Sequence, residues 1–341
     1  MLPLQATSYE ASTTRTPSGL RHDNTIDGSF EPTPLHFPNM KAHYLTADVF
    51  TDQRFGGNQL AVFPDAREIA SDLMPRIAKE FNYSETTFVL PPDDPSHTAR
   101  VRIFTPGGEL QFAGHPTVGT AHVLAATGIV PLNGSETRIV FEEGVGPVPV
   151  TIRAKNGTPD FAQLSVAKLP EVGPPPPSNE QLAAMLSLSP DDLVGGSMMP
   201  ESVSCGTPFL FVPVRDRKVL ARSRVKQDLF EAALRGYVTD MVFLFAMDPE
   251  HKDHHVRARM YAPMINVPED PATGSACVAL GGYLAARDPR TDGTLRWVVE
   301  QGFEMGRPSI LEVEVEKKNG KTVAARVGGR TVIVCEGDMS L

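Results

Sequence analysis

The chain is poor in cysteine and tryptophan, with three of the first and one of the second among 341 residues. Cys205, Cys277 and Cys335 are odd in number, widely spaced and fit no metal-ligand pattern. They therefore argue against a disulfide framework or a zinc module and fit a reducing, cytoplasmic setting. No apolar run approaches the roughly 20 residues of a membrane-crossing helix. The opening MLPLQATSYEASTTRT has no basic segment followed by an apolar one, so no secretory signal is expected. Glu10, Asp23 and Asp27 argue against a transit peptide. There is no Lys/Arg run, and the net charge of −9 disfavours nucleic acid or an anionic membrane as a partner. Gly107-Gly108 and Gly281-Gly282 lack the strand–GxGxxG–helix context of a dinucleotide site, and neither GxxxxGK[ST] nor GxSxG occurs.

What is present is an ordinary globular composition, 41% hydrophobic and 21% charged, in a chain long enough for two cores. Residues 1–42, rich in Ser, Thr, Pro, Asn and His, read as an extension outside the fold. Beyond them, aromatic and β-branched runs predict many strands, starting at Ala42–Phe50 and including Thr87–Leu90, Ala99–Thr105 and Met241–Ala246. Leu311, Val313 and Val315 alternate with Glu312, Glu314 and Glu316, the pattern of a half-solvated antiparallel strand. A helix is expected from about Ile69 to Phe81, with shorter ones at 179–187 and 226–235.

Residues 112–127, FAGHPTVGTAHVLAAT, form the stretch around which the chain is organised. Small residues crowd its first half and an apolar helical run fills the second. Pro116 suits a first helical turn, which puts His115 at or beside the N-cap. Free N–H groups at such a start can hold a carboxylate without any basic side chain. Residues 269–285, EDPATGSACVALGGYLA, repeat the pattern, aligning Asp270-Pro271 and Gly274-Ser275-Ala276 with His115-Pro116 and Gly119-Thr120-Ala121. Asp270 would then be the N-cap of a second helix. Phe81–Phe88 likewise resembles Gly236–Phe243, pairing Glu85 with Asp240. One long duplication implies an α+β molecule of two pseudo-symmetric domains, each a curved, mostly antiparallel sheet around a central helix. The division expected is 1–42, 43–160 and 161–341, with both helix starts facing one cleft.

Glu85 falls in a turn between a helix and an apolar strand, where desolvation would raise its pKa and suit it to acid/base work. Taken singly, Glu85 reads as a turn residue, and His115 and Asp270 as capping residues. It is their equivalent placement in a duplicated pair that suggests the acid and base of a two-sided site. His251, His254, His255 and Asp253 cluster without tetrahedral spacing and read as a solvated turn, so no metal is expected.

These segments resemble the phenazine-biosynthesis isomerase family (PhzF-like), which shares the diaminopimelate epimerase fold. The matching stretches are DVFTDQRFGGNQLAVF (48–63), NYSETTFVL (82–90), FTPGGELQFAGHPTVGTA (104–121), VSCGTPFLFVPV (203–214), EDPATGSA (269–276) and GRPSILEVEV (306–315). They cover about 43–337. Gln59 and Ala113 depart from the family's usual Pro and Cys. The resemblance implies a cofactor-free isomerase that moves a proton between carbons of a small carboxylated metabolite by acid/base catalysis. It assigns the chemistry to Glu85, His115 and Asp270, and substrate binding to Ser84, Gly114, Gly274 and Ser275. The expected partner is that carboxylate alone, and a homodimer is admitted. Two other readings fit the same residues, an amino-acid or hydroxy-acid epimerase and a non-catalytic small-molecule binding protein.

Overall fold

A computed structural model describes residues 40–341, so residues 1–39 of the expected extension lie outside it. Lys41 and Ala42 already belong to the first strand, Lys41–Val49.

The duplication is visible in the strand pairings. The first eight strands are Lys41–Val49, Asn58–Phe63, Glu85–Leu90, Ala99–Thr105, Gly108–Leu110, Glu136–Glu143, Gly146–Lys155 and Thr158–Ser165. Their successive pairings run antiparallel, parallel, antiparallel, antiparallel, parallel, antiparallel, antiparallel. Glu201–Ser204, Pro208–Pro213, Val242–Ala246, Val256–Ala262, Val267–Asp270, Gly293–Gln301, Ser309–Lys318 and Lys321–Gly329 repeat that order without exception. Two antiparallel seams join the halves. Thr158–Ser165 pairs with Lys321–Gly329, and the last strand, Thr331–Ser340, returns to pair with the first. The alternation read at 311–316 holds, with Leu311, Val313 and Val315 buried and the three glutamates more exposed.

Each half wraps a helix that is apolar on every side, as a helix without a solvent face must be. Gly114–Ala126 is buried from Gly114 to Ala125, and Gly274–Arg287 almost as completely. Gly119 lets the first helix lie on the sheet, since a Cβ there would stand 2.6 Å from Val49 and Leu60 side chains. One sequence expectation needs correction, and three short elements had no counterpart in the sequence reading. The helix expected from Ile69 is confined to Met74–Phe81, because residues 69–73 form turns before Pro75 supplies a fixed φ at the start. The short strands Gly108–Leu110 and Glu201–Ser204 and the helix Arg217–Arg222 were too short to carry a periodic signal.

One side chain clamps the halves beside the future site. Arg307 reaches from the second half to Asp48 Oδ1 at 2.5 Å, the Gly56 carbonyl at 2.6 Å and the Gly57 carbonyl at 2.8 Å. Gly57 is required by its φ of +62° and by the Val49 carbonyl, which would lie 2.4 Å from a Cβ. Arg307→Ala should therefore cost about 3 kcal/mol, the low end for breaking a largely buried pair, because the guanidinium keeps some contact with water. Urea denaturation would measure it, and Arg307→Lys should recover little, since a point charge cannot serve three acceptors spread around a planar fork.

Candidate active site

The two central helices meet at their N-termini. A Cβ on Gly114 would lie 3.0 Å from the Ser275 nitrogen and 3.1 Å from Gly274 Cα, and a Cβ on Gly274 would lie 3.3 Å from Gly114 Cα. Backbone touches backbone there, which only glycine permits on both sides. Neither helix start is capped by a side chain, so the positive dipole ends and first N–H groups of both converge on one point.

This contact corrects the alignment drawn from sequence. Gly114, not His115, opens the first helix, Ala113 is its N-cap, and Pro116 is its third residue. Asp270 is not an N-cap but ends the strand Val267–Asp270, three residues before the cap Thr273. In space Gly114 matches Gly274 and His115 matches Ser275, so His115 and Asp270 are not equivalents. The common Pro-x-x-Gly spacing had matched residues at different depths of the two helices. Glu85, the first residue of its strand, pairs with Leu60 as Val242 pairs with Leu210, whereas Asp240 precedes its strand.

The three expected chemical groups nonetheless come together. Glu85 Oε2 stands 3.2 Å from His115 Nε2, with the two side chains 14% and 6% exposed. The angle makes no hydrogen bond, and Glu85 Oε2 has no other partner. Asn58 Nδ2 spans the rest, 3.3 Å from His115 Nδ1, 2.9 Å from Asp270 Oδ1 and 3.0 Å from the Ala272 carbonyl. On the far side of Asp270, the Thr273 hydroxyl donates to Oδ2 at 2.5 Å. Gln301 Nε2 in turn donates to the Thr273 hydroxyl at 2.9 Å and the Asp270 carbonyl at 2.8 Å, while Oε1 accepts from the Thr273 N–H at 3.1 Å. Gly114, Gly274 and Ser275 line the helix junction. Ser84 adjoins Glu85 in the chain and is half-buried.

Burial dominates the electrostatics. Loss of water, with the Asp270 charge adding to it, holds the Glu85 carboxyl well above its ordinary range. Burial drives His115 down to about 3, against a small opposing pull from the Gln59 carbonyl. His115 is thus neutral, and its contact with Glu85 is not an ion pair. Burial raises Asp270 to about 6, although the Thr273 and Asn58 hydrogen bonds oppose it.

Asn58, Thr273 and Gln301 were missed as site residues. Asn58 lay inside a motif segment but read as a turn residue, and nothing local ties Gln301 to a helix start 28 residues earlier. A further buried carboxyl, Glu143, accepts the Thr117 hydroxyl at 2.6 Å and is pushed up to about 8 by burial. It lines a cavity of about 480 Å³ with Arg100, Glu109 and Gln111, which none of Glu85, His115 or Asp270 lines. The histidine cluster is an anchor rather than a ligand set. Buried Glu300 accepts from the Glu250 and His251 N–H groups and from His254 at 2.8 Å, as Glu142 does from Asp93, Asp94 and His97 in the first half. Among the described residues no three His, Cys, Asp or Glu side chains converge as a metal site, and no helix is long and apolar enough to cross a membrane.

The raised Asp270 fixes a sign for stability. Its folded pKa of about 6 exceeds the ordinary 3.8, so its contribution is complete below pH 3.8 and is lost as pH rises through 6. The difference of about two units is worth about 3 kcal/mol. Urea denaturation near pH 4 and near pH 7.5 should show Asp270→Asn losing about that much less stability than the native chain over the interval. Equal losses in both proteins would mean that Asp270 titrates normally.

The family described as phenazine biosynthesis-like protein (PhzC-PhzF) matches residues 47–337. An uncharacterized isomerase from Mesorhizobium japonicum is 38% identical over 87% of this chain and 98% of its own. Trans-2,3-dihydro-3-hydroxyanthranilate isomerase from Pseudomonas aeruginosa is 32% identical over 86% and 98%. A Bacillus anthracis phenazine biosynthesis protein of the PhzF family superposes with a TM-score of 0.80 at 26% identity, covering 89% of this chain and all of that one. With the duplicated sheet and paired helix starts, these likenesses place the chain in the phenazine-biosynthesis-like PhzC-PhzF family, as an isomerase.

Proposed function

We propose that the protein shifts a proton between two carbons of a small, unsaturated carboxylate, with Glu85 as the group that carries it. The supporting observation is the desolvated Glu85 carboxyl, with its unpartnered Oε2, beside two uncapped helix starts. The substrate carboxylate would lie against the first N–H groups of both helices and the Ser275 and Ser84 hydroxyls, where charge is stabilised without a cation. Glu85 in its ionised form takes a proton from a carbon next to the conjugated system. The electron pair moves along that system, and the same proton returns from Glu85 at another carbon, so the product has the composition of the substrate. A water-poor site makes the carboxylate a stronger base and shields the intermediate from protonation by solvent. Asp270, ionised above its pKa of about 6, keeps Glu85 basic through repulsion. The dihydro-hydroxyanthranilate that names the Pseudomonas aeruginosa relative is the first substrate to try.

Turnover of that compound, followed by absorbance and by proton exchange in heavy water, tests the assignment. Glu85→Gln should lower kcat by at least ~10²-fold, the usual worth of an acid/base group. Binding of a carboxylate product should persist, because the helix starts rather than Glu85 hold it. Asp240→Asn, at a residue that precedes its strand instead of opening it as Glu85 does, should leave kcat unchanged. A Glu85→Gln protein with native turnover would end the proposal.

A further inference from the structure

We infer that His115 is a neutral imidazole fixed with its proton on Nε2 rather than a proton carrier, and that Asn58 is the positioning residue that holds it in that form. The inference deepens the reading in which Glu85 moves the proton, and it rests on the orientation of one amide. Asp270 Oδ1 and the Ala272 carbonyl, at 2.9 and 3.0 Å, are both acceptors, so the nitrogen of the Asn58 amide must face them. The same nitrogen lies 3.3 Å from His115 Nδ1. An NH2 group only donates, so Nδ1 presents its lone pair and the proton of the neutral ring sits on Nε2. An independent contact agrees, because Nε2 faces the Gln59 carbonyl, an acceptor, at 3.3 Å. The Nε2–H is thus given to the Gln59 carbonyl, and Glu85 Oε2 stands 3.2 Å from the same nitrogen without accepting its proton.

The arrangement cannot easily change its proton state. Protonating Nδ1 would turn an acceptor into a donor opposite a donor, and Asn58, 1% exposed, could turn away only by abandoning Asp270 and Ala272. Its turn is itself held by Arg307 on the Gly56 and Gly57 carbonyls. The groups around the pair are Glu85, Asp270 and, beyond it, Glu269, whose charge is matched by Arg259 at 2.7 Å. The benefit to the reaction lies in what His115 does not supply. An imidazolium 3.2 Å from Glu85 would favour the carboxylate strongly and weaken it as a base, whereas a neutral ring adds no charge beside it.

Imidazole nitrogen NMR on the isotope-labelled, ligand-free protein tests this, with the His115 signals identified by their loss in His115→Asn. The native protein should show a protonated Nε2 and an unprotonated Nδ1 near pH 7, unchanged down to about pH 5. Asn58→Asp replaces the donor by an acceptor of the same shape and should place a proton on Nδ1. Asn58→Leu, which offers neither, should give a mixture of tautomers. Both variants should lose about 10²-fold in kcat on any substrate that Glu85→Gln fails to turn over. Native His115 carrying a proton on Nδ1, or variants that keep the native pattern, would overturn the inference. Those results leave the role of Glu85 standing, whereas full activity in Glu85→Gln would end that role whatever the tautomer.

Discussion

The structure depends on a contact between two helix N-termini that carry no side chains at the point of touching. Gly114 and Gly274 let the backbones approach until a single methyl group would intrude on either. Two positive dipole ends forced together repel, and no acidic side chain in either first turn relieves them. The sheets impose the contact, since each buries its helix on all sides and the seams at 158–165 and 331–340 lock the sheets to each other. The unfavourable field at the junction is what a bound carboxylate would satisfy.

Around that junction the protein hides ionisable groups and leaves their charge uncompensated. Glu85 and Asp270 have no cationic partner, and His115 is kept neutral. Where only structure is at stake the same chain behaves differently. Glu300 and Glu142, at matching strand ends, each receive two backbone N–H groups and a histidine. Carboxylates that receive N–H groups and a histidine therefore anchor turns in both halves, whereas Glu85 and Asp270 at the site face no cation. That contrast is the expected mark of groups whose affinity for protons is tuned for chemistry.

The halves share a scaffold but not their chemistry. Gln301 in the second half tethers the cap Thr273 and through it Asp270, while Glu143 at the matching strand end of the first half holds only Thr117. The strand that begins with Glu85 in one half begins with Val242 in the other. A twofold scaffold thus yields a one-sided site, with Glu85 from the first half and the network holding Asp270 from the second.

The sequence by itself determined the α+β duplicated architecture, the two small-residue helices and the trio Glu85, His115 and Asp270, because these rest on periodicity, local propensity and distinctive short motifs. It drew His115 and Asp270 together through a mistaken equivalence, since identical Pro-x-x-Gly spacing is compatible with helices that start at different residues. Only the tertiary structure decided that Gly114 faces Gly274, that Arg307 clamps the turn at Asn58, and that Asn58 joins His115 to Asp270 across 212 positions of chain. Each is a meeting of residues from both halves, set by sheet register and seam pairing. Proton states went the same way, because they follow from burial and from which amide edge faces which ring nitrogen, and neither is written in a residue's neighbours along the chain.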